Sequence, residues 1–193
     1  MSDGECRLCG STEIDTIYRG HLREGRAGSA TKEQHSVIRC GQCAVRFLGR
    51  PVRTDYSGVE YRVLVDGAAS IDSFRETHDW EQATKLSWVG SRTLRDQVVC
   101  DVGCGGGAFL DLASGFSKET IGIEPMAGYH PFLEQNGHRA YSLCSDALQD
   151  WRGMVDVVVC FSVIEHVEDP AECSSRFLPT EESPGRTGRR PRA

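Results

Sequence analysis

Hydrophobic positions divide the chain into three regimes. Up to residue 50 they come in short runs, Glu13 to Arg19, Ser36 to Cys40 and Val45 to Leu48, which read as strands around a Gly- and charge-rich connection. From Ser70 to Arg95 large apolar residues (Phe74, Trp80, Leu86, Trp88, Val89, Leu94) are spaced through a polar stretch without Pro, and without Gly before Gly90. That spacing predicts one or two helices packed ahead of a sheet. From Val98 onward apolar strands alternate with helical segments. Strands are expected at Val98–Asp101, Thr120–Glu124, Arg139–Leu143 and Val155–Phe161. Helices are expected from Ala108 to near Gly115, from about Pro131 to Asn136-Gly137, and over Ala147–Arg152. The last strand is almost wholly apolar, as a strand covered on both faces should be. The order strand, helix, strand predicts an α/β layering with a mostly parallel sheet.

Between the first such strand and its helix lies Asp101-Val102-Gly103-Cys104-Gly105-Gly106-Gly107-Ala108. Four glycines in five positions let the backbone take positive φ and let a ligand approach the main chain closely. The N–H groups of the new helix then face whatever sits over the loop. Gly103-x-Gly105-x-x-Ala108 fits a dinucleotide-binding fingerprint. Glu124 closes the second strand about 20 residues beyond the loop, where such a fold puts a carboxylate that two ribose hydroxyls can donate to.

The cysteines add a second chemistry. Cys6-x-x-Cys9 and Cys40-x-x-Cys43 supply four thiolates suited to tetrahedral zinc, with no open position, so a structural Zn2+ is expected. Nine cysteines, an odd count, with no export signal at the first residues, predict reduced thiols and a cytoplasmic protein. The net charge of −6 argues against broad nucleic-acid binding, and no apolar run reaches membrane-spanning length.

Asp101-x-Gly103-x-Gly105-x-Gly107 resembles motif I of the class I S-adenosylmethionine (SAM)-dependent methyltransferases, and Glu165-His166-Val167 followed by Asp169-Pro170 resembles their motif IV and its sequel. The resemblance runs from about Asp55, with its Asp55-Tyr56-x-x-x-x-Tyr61 segment, to Asp169, and four-cysteine additions of this kind occur at the N-terminus in the family. It implies a Rossmann-like, doubly wound sheet behind a small zinc-ribbon-like element. In this reading residues 1–50 are the zinc element, 51–97 a linker and helical lead-in, 98–178 a partial SAM-binding core and 179–193 a basic tail without a core. The resemblance assigns Asp101 to the methionine end of SAM and Glu124 to the ribose. Gly103, Cys104, Gly105 and Gly107 shape the loop. Asp146 of Ser145-Asp146-Ala147 binds the adenine amino group. Pro125, Ala147, Phe161 and Ser162 complete the cofactor contacts. Glu165 and His166 are the candidate catalytic pair, a histidine near neutral pKa being suited to take a proton from a hydroxyl. The acceptor class is a small molecule: sugar, lipid or quinone-like. After Pro170 the family's Lys-Pro-Gly-Gly turn and three further strands are expected and do not follow, which reads as a truncated or frame-shifted chain of doubtful activity. Two other functions compete: an NAD(P)-dependent oxidoreductase and a non-catalytic zinc-ribbon binding protein. Asp101 ahead of the loop and the Glu165-His166 sequel speak against the first.

Overall fold

The computed structural model describes residues 4–23, 30–50, 56–58, 70–164, 166 and 177. The described residues fall into two compact units. One carries the N-terminal sheet together with Tyr56 and His166; the other carries the helical lead-in and the α/β layers. The expected lead-in therefore belongs with the sheet it precedes. Asp55, Tyr61, Glu165, Asp169, Pro170 and the 179–193 tail lie outside the described residues.

The first unit is a three-stranded antiparallel sheet: β1 (Ile14–Gly20), β2 (His35–Cys40) and β3 (Arg46–Leu48), in that order. The predicted strands are found within a residue or so. Two turns at its end are built alike. Gly10 N–H donates to the Cys6 carbonyl at 2.9 Å, and Ala44 N–H to the Cys40 carbonyl at 3.1 Å. Both closing residues are left-handed, Gly10 at φ 73° and Ala44 at φ 60°. Each C-x-x-C pair is thereby folded back on itself.

The second unit opens with α1 (Ile71–Val89), capped by Ser70, whose side chain accepts from the Ser73 amide, and ended by Gly90 at φ 82°. A short α2 (Ser91–Leu94) follows. Then come β4 (Val98–Val102), α3 (Ala108–Ser114), β5 (Glu119–Ile123), a 3-10 turn (Ala127–Tyr129), α4 (His130–Gln135), β6 (Arg139–Tyr141), α5 (Cys144–Trp151) and β7 (Val157–Val159). The sheet order is β6-β5-β4-β7, and every pairing is parallel. This is the doubly wound, Rossmann-like arrangement, with β4 and its loop at the centre. The core gathers Leu94, Val99, Phe109, Leu110, Ala113, Leu133 and Val159. β4 is buried along its whole length, as its apolar run required.

Several expectations need correction. The last strand pairs only over Val157–Val159; Cys160 and Phe161 leave the ladder, and the Phe161 ring packs edge-on against Phe109 at 5.2 Å. β6 stops at Tyr141 rather than Leu143. Not all large apolar residues of the lead-in are packed: Trp80 and Trp88 on α1 are 77% and 72% exposed. The thiols are not uniformly reduced, since Cys144 is disulfide-bonded while Cys6, Cys9, Cys40, Cys43, Cys100, Cys104 and Cys160 are free. Among the described residues no helix is long and apolar enough to cross a membrane.

Candidate functional site

Ligands of open α/β sheets bind beyond the carboxyl ends of the strands. Two acids stand there, on neighbouring strands. Asp101, in β4, is 4% exposed. Burial pushes its carboxyl up to about 7; the Lys85 ammonium pulls it part of the way back and the Glu124 carboxylate adds to the rise. An acid kept in so costly a place is favoured by positive charge nearby, of which the Lys85 ammonium supplies part.

Glu124 is buried as well, and its two oxygens accept from the Gly105 amide at 3.0 Å and the Met126 amide at 2.9 Å. Its own amide donates to the Tyr141 carbonyl at 2.9 Å, and its carbonyl accepts from His130 Nε2 at 2.7 Å. The carboxylate is thus aimed and fixed by the glycine loop and by the turn after β5.

The glycine loop is tied to β5 as well: the Gly103 and Cys104 amides both donate to the Ile123 carbonyl, at 2.7 and 3.2 Å. Here the glycines are exploited by the chain's own side chains. A Cβ built on Gly105 would lie 2.5 Å from the tip of the Phe74 ring, and one on Gly106 3.1 Å from its edge. At Gly107, which starts α3 at φ 76°, a Cβ would collide with the Leu133 side chain. Gly107→Ala combines left-handed strain with overpacking and is expected to destabilise the fold by about 2 kcal/mol, read from the urea midpoint.

Asp146 is drawn into α5, which begins three residues earlier than the sequence indicates. It occupies the first turn, and its carboxylate accepts from the Leu143 amide at 3.2 Å. Asp146 therefore reaches back to cap its own helix, and Ala147 next to it is buried. Pro125 follows Glu124 in the turn before Met126. Phe161 is half-buried, with the Lys85 ammonium 5.4 Å from its ring centroid. Ser162 holds φ 56°, a left-handed backbone outside glycine, at the bend where the chain leaves the last strand.

In the other unit, His166 Nδ1 lies 2.9 Å from the Tyr56 hydroxyl, with the two rings 5.3 Å apart. If Nδ1 donates to the phenolic oxygen, Nε2 is left as the basic nitrogen; the reverse tautomer makes Nε2 a donor. Glu165 lies outside the described residues.

The four paired cysteines converge. Their sulfurs all lie within 4.8 Å of one another, with Cys6 to Cys43 and Cys9 to Cys40 each at 3.6 Å. The Cys43 amide draws Cys40 down to about 6. Cys9, despite the Ser11 amide, is pushed up to about 12 by partial desolvation and by the three thiols around it. Four thiols so arranged cannot all ionise unless a cation joins them.

Sequence reasoning missed the residues that α1 brings to this region: Phe74 over the loop, Arg75 bonded to Asp111, and Lys85 near Asp101. Nothing in a polar helical stretch marks which residues face the sheet. His78 packs its ring against Phe74 at 4.4 Å and is half-buried.

A family model described as a methyltransferase domain matches residues 73–178. A ubiquinone biosynthesis O-methyltransferase from Thiobacillus denitrificans is 36% identical over 97 residues, which is 45% of this chain and 41% of that protein. One from Acinetobacter baumannii is 33% identical over the same length. The chain thus spans about two fifths of the length of these curated relatives. Among solved structures, a SAM-dependent methyltransferase from Archaeoglobus fulgidus is 20% identical, with a TM-score of 0.46 over 55% of this chain and 52% of the other.

Proposed function

Since the chain belongs to the methyltransferase-domain family matched over residues 73–178, we propose that it uses SAM to methylate a small molecule, and that its acceptor is a hydroxyl on a quinone-like ring. The single observation that carries the cofactor reading is Asp101, an acid buried in the central strand ahead of the glycine loop and raised by that burial. When bound, SAM supplies a methyl group already activated on a sulfonium.

The chain's own work is then to bind, align and exclude water. Asp101 takes the ammonium of the methionine end. Glu124, already aimed by the Gly105 and Met126 amides, accepts from the ribose hydroxyls. Gly103, Cys104, Gly105 and Gly107 form the floor, and Pro125, Ala147, Phe161 and Ser162 are the remaining candidate cofactor contacts. Asp146 serves the adenine amino group with the oxygen that does not cap its helix. His166 is the base for the acceptor hydroxyl, in the tautomer where Nδ1–H donates to Tyr56, and Glu165 is its sequence neighbour in that role. The four cysteines hold a structural zinc. The quinone-like acceptor follows the relatives named as ubiquinone biosynthesis O-methyltransferases. A cytoplasmic setting fits the seven free thiols among the described residues, with Cys144 the exception.

Equilibrium binding of SAM and of NAD to the full chain tests the cofactor. SAM should bind and NAD should not; NAD alone binding, or neither, defeats the proposal and leaves the oxidoreductase or the zinc-dependent binding module. With a catechol-type acceptor, His166→Ala should lower methyl transfer by about 10²–10⁴-fold while leaving SAM affinity unchanged. An unchanged rate would remove His166 from the chemistry.

A further inference from the structure

The first two turns of α1 sit on the glycine loop. The Phe74 ring lies where side chains of residues 105 and 106 would be, and a Cβ on Gly106 would also meet Arg75 at 3.3 Å and Ile71 at 3.4 Å. The ring is held from behind by His78, centroids 4.4 Å apart, and from the side by Tyr129, 5.6 Å away. Tyr129 belongs to the 3-10 turn just after Glu124, so the aromatic group bridges the loop and the segment that follows the second acid.

Next to Phe74 the helix is fastened down. Arg75 Nη1 donates to Asp111 Oδ2 at 2.6 Å, and its guanidinium lies 5.1 Å from the Phe132 ring centroid. The other Asp111 oxygen meets His138 Nε2 at 2.8 Å, and His138 Nδ1 meets the Thr120 hydroxyl at 2.8 Å. His138 and Thr120 are both buried. Burial alone would raise the Asp111 carboxyl, but the His138 and Arg75 hydrogen bonds outweigh it and hold the group low. The anchor for Arg75 is therefore a fixed anion, braced from β5 and from the start of β6.

A glycine-rich bend leaves its main chain bare so that something can lie against it. In this fold the something is Phe74. A ring that fills the space a Gly105 side chain would take and a nucleoside entering that same space exclude each other. We propose that Phe74 is a gate on the cofactor crevice: in the ligand-free chain it covers Gly105 and Gly106, and it must leave them before the nucleoside can enter, with the Arg75–Asp111 pair as the latch that keeps the gate shut. The gate rests on the cofactor reading above, and it adds a residue, Phe74, whose bulk opposes binding. Only the open fraction of the chain is competent, so the apparent affinity is the intrinsic one reduced by that fraction.

Stopped-flow and calorimetric binding of S-adenosylhomocysteine to the full chain tests this, with a near-ultraviolet dichroism check that each variant is folded. Phe74→Ala should speed association about tenfold and tighten the dissociation constant by a similar factor, the off-rate changing little. Phe74→Leu keeps apolar bulk for folding and should fall between the two. Arg75→Gln should act in the same direction by about threefold. Binding by Phe74→Ala where the original chain binds none would be the strongest support. Binding by the original chain that weakens in Phe74→Ala and Phe74→Leu overturns the gate alone, because the ring would then be a wall of the bound state. Unchanged association rates in all three variants overturn it too. No binding by any folded variant takes down the cofactor reading and the gate with it.

Discussion

Replacing Asp101 by Asn is expected to weaken S-adenosylhomocysteine binding at least a hundredfold while making the ligand-free fold more stable above neutral pH. Both effects come from one buried charge. Removing one partner of a buried charge pair costs about 3–5 kcal/mol, which is the origin of the expected loss in affinity. The stability gain follows from linkage. The Asp101 carboxyl lies near 3.8 in the unfolded chain and is raised to about 7 in the folded one by burial, against the pull of Lys85. Between those values the native state holds a proton that the unfolded chain has lost, so stability falls as pH rises from about 4 to about 7 and is flat beyond. The asparagine variant has no such proton, and its urea midpoint should fall less across that window. At pH 8 it should exceed the original by an amount on the order of a few kcal/mol, less whatever its unpaired amide costs. In the original chain, affinity for the nucleoside's ammonium should rise with pH through the same window as the carboxylate forms. Equal binding by the variant, or a lower midpoint than the original at pH 8, would detach Asp101 from the cofactor.

The sheet was legible because short apolar stretches, Val98–Cys100 ahead of Asp101 and the nearly all-apolar Val155–Phe161, read as strands covered by helices. Their ends were not, because an apolar run does not say where pairing stops. Phe161 belongs to such a run, yet it turns away to pack on Phe109 instead of extending the ladder. Asp146 was ambiguous for a related reason: an acid beside a helix start can serve a ligand or its own backbone, and its carboxylate reaches the Leu143 amide. Spacing within α1 could not separate Phe74 on the loop from Trp80 and Trp88 in solvent, since large apolar residues occur on more than one face of the helix. The Arg75–Asp111–His138–Thr120 chain was invisible for another reason. Its members are scattered from residue 75 to residue 138 and share no motif; only the folding of α3 against β5 and α1 brings them together. The glycine loop was read as a place where a ligand approaches the main chain; the sequence did not say that a phenylalanine of the same chain lies over Gly105 and Gly106.

Chelation should open the N-terminal sheet and leave the α/β unit folded. β1 is exposed along nearly its whole length, and Ile17 and Tyr18 are each about half exposed. A three-stranded sheet with so little apolar burial cannot offset the entropy of ordering its backbone. Its ladder ends at Cys40, and both C-x-x-C turns bring their sulfurs to one point. A zinc ion there would bind folded ribbon far more tightly than unfolded chain, and that difference, on the order of 10 kcal/mol for ribbon-like peptides, becomes folding free energy. With a strong chelator, amide exchange in β1 and β2 should accelerate by a factor of about 10³ or more, while β4 and β5 amides stay protected. Cys40→Ser should reproduce the effect without chelator. Uptake of zinc should also release protons, because Cys9 is held up at about 12 and must ionise to become a ligand, so the affinity should fall as the solution is acidified. Metal analysis giving far less than one zinc per chain, or β1 amides equally protected with and without chelator, would mean that the cysteine cluster is a set of neighbouring thiols and that the sheet is held by something other than a metal.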